Sequence, residues 1–374
     1  MLKVSIMNSS NLFSEKNIGP FQLKNRIVIP PMCQYSAANG QATDWHLMHY
    51  GNLALSGAGM LIVEATAVCP EGRISYADLG LWDKNTAQAL RKVVDFMRLH
   101  SSMPLAVQIA HAGRKASTDL SWKSDDYLPA DSANGWQTVA PSAIAQSTGG
   151  TVPHELTNAE IKIIVEQFAE ASARAIAIGF DMVELHAAHG YLMHEFLSPI
   201  TNKRTDEYGG SLENRMRFPL EVVDAVRAVL PANTAFGVRI SATDWIDRGW
   251  DLSQSIVFAK ELDKRGCGYI HVSGGGLDGG LQKLPPLQSG YQLSFAEALK
   301  KEVVMPVIGV GLITDPFEAE KAIAEEKADF IAVGRGMLYD PRWAWHAAAA
   351  LGGQVVAPAQ YLRSSPHPYK DLFV

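Results

Sequence analysis

Short apolar segments recur along the chain, and longer segments with a helical spacing of apolar residues lie between them. Each short segment has four to eight residues, the length expected of a β-strand that is buried on both faces. The eight segments are Ile27–Pro31, Met60–Ala67, Leu105–Ile109, Met182–His186, Ala235–Ile240, Tyr269–Ser273, Pro306–Gly309 and Phe330–Gly334. Strands that alternate with helices in this number predict an α/β fold, a closed (β/α)₈ TIM barrel.

A doubly wound open sheet is the alternative arrangement of alternating strands and helices. A sheet of this kind that binds a dinucleotide carries Gly-x-Gly-x-x-Gly directly after its first strand. That pattern is missing after Ile27–Pro31, where the chain continues as Met32-Cys33-Gln34-Tyr35. The sequence therefore favours the barrel.

Residues typical of helix ends bracket several of the intervening segments. Thr157 and Glu160 have the spacing of a capping box, and Gly179 is the expected stop of the helix that follows. Asp315 precedes Pro316, and an acidic N-cap followed by proline in the first turn predicts a second helix start. Further amphipathic helical patterns cover Pro219–Leu230 and Ser253–Arg265.

Three connections are longer than a plain barrel needs. They are Ala112–Glu155, Ala188–Glu213 and Gly274–Leu293, and each follows a predicted strand. Loops after barrel strands lie on the face where barrels keep their active sites, and long loops are usually functional. Because no linker divides the chain, we predict a single domain over residues 1–374, with the barrel at about 21–351 and a C-terminal arm at 352–374.

Composition and charge exclude several classes of protein. Hydrophobic residues make up 47% and charged residues 19% of the 374 residues, which excludes a disordered or fibrous chain. A net charge of −6 without basic runs argues against nucleic acid or an anionic membrane as a partner. No apolar run approaches the roughly 20 residues that span a bilayer, and Met1–Lys16 lacks a secretory signal.

The cysteines indicate a reducing compartment. Cys33, Cys69 and Cys267 are odd in number and form no Cys-x-x-Cys pair. A disulfide scaffold and a cysteine-based zinc site are therefore not expected. We predict a cytoplasmic location from this pattern.

Glycines and an arginine follow the last two predicted strands. Gly311 follows the seventh strand, and Gly334 with Arg335 ends the eighth. Barrels often bind phosphate between these two loops, where glycines let the backbone approach and an arginine forks onto phosphate oxygens. The bland alternative is that the glycines only turn the chain. An arginine beside one of two glycine clusters favours the phosphate site.

His186, His189 and Tyr191 come together at the end of the fourth predicted strand. Three interpretations are open. The histidines are zinc ligands together with His111, or they are N–H donors aimed at a substrate oxygen, or they are structural. No Asp or Glu stands beside them as a further metal ligand.

Other polar residues also end predicted strands. Arg239 ends the fifth strand, and its permanent charge needs an anionic partner, either a ligand or a carboxylate such as Asp244. Gln108 offers both a donor and an acceptor, which suits the edge of a heterocyclic ring or the capping of a strand. Cys33 by itself is most often a small buried hydrophobic residue.

Four motifs together resemble the old yellow enzyme family, in its thermophilic-like bacterial branch with the enoate and xenobiotic reductases. The resemblance runs from Phe21 to Leu351. The motifs are Pro-Met-Cys-x-Tyr at 31–35, Gln-x-Ala-His-Ala-Gly-Arg-Lys at 108–115, His-Ala-Ala-His-Gly-Tyr-Leu at 186–192 and Asn-Lys-Arg-Thr-Asp-Glu-Tyr-Gly-Gly-Ser-x-Glu-Asn-Arg at 202–215.

The resemblance implies a non-covalently bound FMN, with NADPH or NADH as the reductant. It assigns the flavin-binding residues as Pro31, Met32, Cys33, Ala65, Gln108 and Arg239 around the ring, with Gly311, Gly334 and Arg335 at the phosphate. Cys33 is similar to the branch's redox-tuning residue, and Arg239 is expected beside the flavin N1 and O2.

The resemblance also assigns residues to a substrate. His186 and His189 resemble the pair that binds the substrate carbonyl oxygen, Tyr191 resembles the proton donor, and Tyr35 resembles a second substrate-contacting tyrosine. Arg363 resembles an arginine finger that a partner subunit inserts, which implies a homodimer or a dimer-based homotetramer.

The implied activity is NAD(P)H-dependent reduction of the activated C=C bond of α,β-unsaturated carbonyl compounds. The implied mechanism is ping-pong, with hydride transfer through flavin N5, and nitro-compounds and nitrate esters are further substrate classes of the family. Two rivals stay open on the sequence. One is a zinc-dependent barrel hydrolase that uses His111, His186 and His189, and the other is a flavin-binding protein without turnover.

Overall fold

Parallel strands form a closed barrel in the computed structural model, which describes residues 10–124, 126–147, 150–278 and 280–374. The strands within these residues are β1 (Lys16–Ile18), β2 (Phe21–Leu23), β3 (Ile27–Ile29), β4 (Met60–Ala67), β5 (Leu105–Ala110), β6 (Val139–Ala140), β7 (His154–Glu155), β8 (Met182–Ala187), β9 (Ala235–Ser241), β10 (Tyr269–Ser273), β11 (Val307–Gly309) and β12 (Phe330–Ala332). The helices are α1 (Asp44–Ala54), α2 (Lys84–His100), α3 (Asn158–Ala177), α4 (Leu192–Leu197), α5 (Leu212–Val229), α6 (Leu252–Lys264), α7 (Leu293–Lys300), α8 (Pro316–Ala324), α9 (Arg335–Tyr339) and α10 (Trp343–Leu351).

The barrel confirms the predicted (β/α)₈ fold. Its order is β3, β4, β5, β8, β9, β10, β11 and β12, and β12 pairs with β3 to close it. Each of the eight predicted apolar segments coincides with one of these strands, although β5, β8 and β9 each extend one residue further than predicted. The first strand ends at Ile29 rather than at Pro31, because prolines lack the N–H that a sheet ladder requires.

Apolar side chains fill the amino end of the barrel. The hairpin of β1 and β2 contributes Ile18 and Leu23, which are fully buried against Val28, Met60 and other inward residues of the strands. A larger apolar core lies between the barrel and the surrounding helices. The amino end is thus packed, and the polar chemistry is left to the carboxyl end.

The predicted helix starts are largely confirmed. The Thr157 side chain accepts from the Glu160 N–H, and the Glu160 carboxylate accepts from the Thr157 N–H. These two hydrogen bonds make the capping box of α3. Asp315 Oδ1 caps α8 by accepting from the N–H groups of Phe317 and Glu318. The start of α5 was predicted too late, because the Ser211 cap starts it at Leu212 and Pro219 lies inside the helix.

The three long connections follow β5, β8 and β10, so they lie at the carboxyl ends of the strands as predicted. The first contains the short parallel pair of β6 and β7, and the second contains α4. No helix in the described ranges is both long and apolar enough to cross a membrane. Residues 1–9 of the segment predicted to lack a secretory signal are outside the described residues.

The last residues of the chain fold back onto the barrel. Val355 forms a bridge with Phe373, and Val355 and Leu372 are buried against Ala348 of α10. Between these two attachments, residues 359–364 form a short 3₁₀ turn that is largely exposed.

Candidate active site

Two histidines and a tyrosine cluster where β8 ends and α4 begins. His186 is the second-last residue of β8, and Tyr191 is the residue directly before α4. The His186 ring centroid is 5.2 Å from that of His189 and 4.8 Å from that of Tyr191, both edge-on. The tight turn from strand to helix therefore gathers all three rings at one point of the barrel mouth.

Both histidines are neutral at physiological pH. Burial lowers the pKa of His186 and of His189 well below the usual value, and the Arg239 charge lowers both further. The Nδ1 atom of His186 accepts from the Ala188 N–H at 3.3 Å. The single proton of the His186 ring is therefore on Nε2, which makes that nitrogen a donor.

The backbone at His189 is left-handed. Its φ is +59°, and the Ser241 hydroxyl holds it by accepting from the His189 N–H at 2.9 Å. A non-glycine residue in this region is uncommon. Tyr35, with a φ of +48°, shares this feature.

Lys115 joins the loop after β8 to the loop after β10. Its Nζ donates to His189 O and to Gly276 O, each at 2.8 Å, and it lies 5.2 Å from the Tyr191 ring centroid. A Cβ on Gly276 would come within 2.7 Å of His189 Cα, so the two loops touch backbone to backbone. Burial lowers the pKa of Lys115 to about 8.

Tyr191 lines an open cleft. Burial raises the pKa of the Tyr191 hydroxyl, so it keeps its proton at neutral pH. Trp122, with 62% of its surface exposed, lies edge-on to Tyr35 with ring centroids 6.1 Å apart. The residues lining the cleft are Tyr35, Ile74, Lys115, Thr118, Asp119, Ser121, Tyr127 and Tyr191.

Cys33 lies at the end of β3 beside β4. Burial raises the pKa of its thiol, and a hydrogen bond with the Ala65 backbone opposes this shift. The segment is fixed from behind by Glu64, whose Oε2 accepts from the Gln34 N–H at 2.8 Å and whose Oε1 accepts from the Tyr50 hydroxyl at 2.8 Å. Cys33 is therefore a thiol rather than a thiolate, held close to Ala65.

Substituting Glu64 with glutamine is expected to change how stability depends on pH. Burial raises the Glu64 pKa from 4.5 to about 8, so between these values only the unfolded chain loses the proton. The stability that Glu64 contributes is full below about pH 4.5 and is lost as the pH rises through about 8. Glutamine mimics the protonated acid and does not titrate.

We therefore expect Glu64→Gln to gain stability over the wild type as the pH is raised from about 5 to about 8. The measurement is urea unfolding of both proteins across this range. Comparing the two cancels the titration of Glu195, whose pKa is also raised by burial. A constant difference between the two proteins would contradict the expected titration of Glu64.

A buried polar network lies under Arg239 inside the barrel. Glu184 is fully buried on β8, where its Oε1 accepts from Gln108 Nε2 at 2.8 Å and its Oε2 is 3.0 Å from His271 Nδ1. Burial lowers the pKa of Arg239, and Glu184 is the nearby group that opposes this most. The carboxylate proposed from the sequence was Asp244, but its Oδ2 instead accepts from Ser198 Oγ and from the Trp250 N–H.

Sequence reasoning missed Glu184 and His271 as functional residues. Both lie inside predicted apolar strands, Met182–His186 and Tyr269–Ser273. A charged residue within a strand that is buried on both faces is the signal that was available, because such a charge needs a partner.

Arg239 has a hydrogen-bond donor that is available to an anionic group. Its Nε is buried and has no hydrogen-bond partner within the described residues. A buried unpaired donor on a charged group is costly, and a bound molecule with a developing negative charge removes the cost. The residues present here therefore fit the N1 and O2 edge of a flavin.

The carboxyl ends of β11, β12 and β3 meet at the predicted phosphate site. A Cβ on Gly334 would lie 3.4 Å from Pro30 and 3.6 Å from Met32, and one on Gly311 would lie 3.2 Å from the backbone N of Gln292. Arg335 is exposed at the start of α9, and its charge acts on Tyr291. The glycines thus open space beside Met32 and Pro30, with Arg335 exposed at the start of α9.

The zinc interpretation is not supported. In the part of the chain that the structure describes, no three His, Cys, Asp or Glu side chains are arranged to hold a metal ion. His111 turns its Nδ1 to the Gly113 N–H at 3.0 Å, and burial lowers its pKa to about 4. His111 therefore uses its Nδ1 to hold the loop after β5 rather than to bind a metal ion.

Comparison with known proteins identifies the family of the chain. Residues 11–352 match the NADH:flavin oxidoreductase / NADH oxidase family. An NADPH dehydrogenase of Listeria monocytogenes is 43% identical over 357 residues, which is 95% of this chain and 99% of the relative. An NADPH dehydrogenase of Bacillus subtilis is 41% identical over 354 residues, which is 94% of this chain and 98% of the relative.

A solved structure of morphinone reductase in complex with tetrahydroNAD shares the fold. Its TM-score is 0.74 at 29% identity, and the match covers 97% of this chain and 98% of that one. The protein is an oxidoreductase that uses FMN, with NAD(P)H as its reductant. These matches confirm the resemblance to old yellow enzyme, and the chain belongs to the NADH:flavin oxidoreductase / NADH oxidase family.

Proposed function

We propose that the protein is an ene-reductase that reduces the activated C=C bond of α,β-unsaturated carbonyl compounds. The observation that carries the proposal is the pair of neutral histidines beside a protonated tyrosine at an open cleft. An oxygen that gains negative charge during the reaction is stabilised by N–H donors of this kind. The arrangement suits a carbonyl conjugated to the reacting double bond.

FMN is assigned to the mouth of the barrel, between the β3 segment and Arg239. We assign the ring to Pro31, Met32, Cys33, Ala65, Gln108 and Arg239, and the phosphate to Gly311, Gly334 and Arg335. When bound, FMN supplies two-electron transfer from NAD(P)H to an electron-poor C=C bond. The protonated Cys33 thiol adds a dipole without a charge beside the ring, which makes it a residue that tunes the redox potential.

The remaining site residues act on the substrate. His186 and His189 donate to the carbonyl oxygen, and Tyr35 contacts the substrate from the cleft wall. Tyr191 gives its proton to the α-carbon. Its raised pKa keeps the hydroxyl protonated before this transfer. The reductant and the enone use the same space in turn, which gives ping-pong kinetics.

The visible spectrum of the purified protein tests the proposal. Under anaerobic conditions, NADPH is added until the yellow colour bleaches, and cyclohexenone is added next. Return of the colour is the expected result. Bleaching without return rejects enones as substrates and directs the same test to nitro-compounds and nitrate esters. A flavin that NADPH does not bleach would favour a binding protein without turnover.

Replacing Tyr191 with phenylalanine is expected to slow the enone step alone. The substitution removes the proton donor, and a general acid contributes on the order of 10²–10⁴-fold in rate. Reduction by NADPH needs no proton from Tyr191 and is expected to stay near the wild-type rate. Stopped-flow traces of the two half-reactions provide the measurement, and an unchanged enone step would reject Tyr191 as the proton donor.

The assembly is a separate proposal. Arg363 is exposed on the 3₁₀ turn, beside the partly exposed Tyr361 and Leu362. We propose a homodimer or dimer-based homotetramer in which Arg363 reaches a partner's cleft. Analytical ultracentrifugation gives the stoichiometry, and Arg363→Ala is expected to raise the KM for the enone without changing the barrel's FMN content.

A further inference from the structure

The orientation of the His189 ring depends on one hydroxyl group. Among the described residues, the hydrogen-bond partner of the ring is Ser273 Oγ, 2.6 Å from Nε2. Ser273 is the last residue of β10 and is 2% exposed. The other ring nitrogen, Nδ1, is thus the one left for a bound molecule.

The Ser273 hydroxyl has one proton and two acceptors within reach. One is His189 Nε2 at 2.6 Å, and the other is Ile240 O at 3.3 Å. If the proton goes to Ile240 O, then Nε2 must carry the ring proton and Nδ1 is a bare acceptor. If the proton goes to Nε2, then Nδ1 carries the ring proton and becomes a donor. The much shorter distance favours the second arrangement.

We propose that Ser273 is a positioning residue, whose hydroxyl donates to His189 Nε2 and so fixes the ring proton on Nδ1, facing the substrate oxygen. The inference rests on the proposed function, which requires His189 to be a donor. It also gives the two histidines opposite tautomers, because the Ala188 N–H places the His186 proton on Nε2. Both rings then present one N–H each.

The neutral state of His189 makes this control necessary. A doubly protonated ring would donate from both nitrogens whatever its neighbours did, but burial and the Arg239 charge keep the His189 pKa well below its usual value. With one ring proton available, the partner of Nε2 decides which nitrogen donates.

The test reads the tautomer directly by NMR. ¹⁵N-histidine-labelled protein is studied as apoprotein and with FMN bound, and the His189 signals are assigned by their loss in His189→Asn. The expected result is a protonated Nδ1 in the wild type. In Ser273→Ala the proton is expected to move at least partly to Nε2, and in Ser273→Thr, which keeps the hydroxyl, it is expected to stay on Nδ1.

Kinetics provide the second readout. Reoxidation by cyclohexenone is expected to slow about 10-fold to 10²-fold in Ser273→Ala, somewhat less than the loss of a whole donor. Reduction by NADPH is expected to be unchanged. Ser255→Ala is the matched control, since the buried Ser255 hydroxyl donates only to Ala242 O, outside the site.

The outcomes separate the two proposals. A wild-type His189 protonated on Nε2 overturns the role of Ser273. This measurement uses only the wild-type protein, so it does not depend on whether the variants fold. An Nδ1 proton that persists in Ser273→Ala overturns it as well. If the tautomer moves as expected but no enone reoxidises the wild-type enzyme, the role of Ser273 stands and the proposed substrate class fails.

Discussion

Replacing His186 with alanine is expected to slow reoxidation of the reduced enzyme by an enone about 10²–10³-fold, the usual cost of losing one oxyanion donor. The His186 ring is 3% exposed, and the Ala188 N–H fixes its proton on Nε2. His189 and Tyr191 are held by their own contacts, so neither is expected to replace that donor. The loss is expected in the step in which charge develops on the substrate oxygen.

Anaerobic stopped-flow absorbance separates the two half-reactions. Reduction by NADPH places no charge on a carbonyl oxygen, so it is expected to fall much less than the enone step. His100→Ala is a suitable control, since His100 is exposed at the end of α2, which leads into the amino end of β5. Equal losses in both half-reactions would instead indicate that FMN itself is displaced.

Removing the Glu184 carboxylate is expected to destabilise the protein by about 1–3 kcal/mol for each buried polar group that loses its hydrogen-bond partner. Glu184→Ala removes the charge that most opposes the lowering of the Arg239 pKa by burial. It also removes the acceptor of Gln108 Nε2 and the partner of His271 Nδ1. The same change is expected to weaken FMN binding, because Gln108 and Arg239 lose their support.

Urea unfolding of the apoprotein measures the change in stability, and fluorescence titration measures FMN affinity. Glu166→Ala removes an exposed carboxylate from α3 and is expected to stay within about 0.5 kcal/mol of the wild type. Glu184→Gln keeps the shape and one acceptor but removes the charge. A Glu184→Ala protein as stable as Glu166→Ala would show that Arg239 does not depend on Glu184.

The barrel and its catalytic face could be predicted because both follow from local pattern. Strands such as Met60–Ala67 are apolar throughout, and parallel order then places every loop that follows them at one end. His186, His189 and Tyr191 are close in sequence and share a single turn. Their contact needed no knowledge of long-range pairing.

The partners of the supporting residues could not be predicted, because they are distant in the chain. Glu184 meets His271 only because β8, β9 and β10 are neighbours in a fixed register, in which Glu184 is opposite Gly237 and His271 is opposite Arg239. Ser273 reaches His189 through the same order of neighbouring strands. The start of α5 was also missed, since Pro219 is more common at a helix start than inside one.

Lys115 links the loop after β8 to the loop after β10, and this link limits how far the cleft can adapt to substrates of different size. A bulky group that presses on His189 must also move Gly276, because Lys115 bonds both carbonyls and the two backbones touch. The two loops that carry His189 and Gly276 therefore move together or not at all. Trp122, exposed at the rim beside Tyr35, can yield by rotation of its own side chain. Redesign for larger substrates is best begun at Trp122, with the two Lys115 hydrogen bonds left intact.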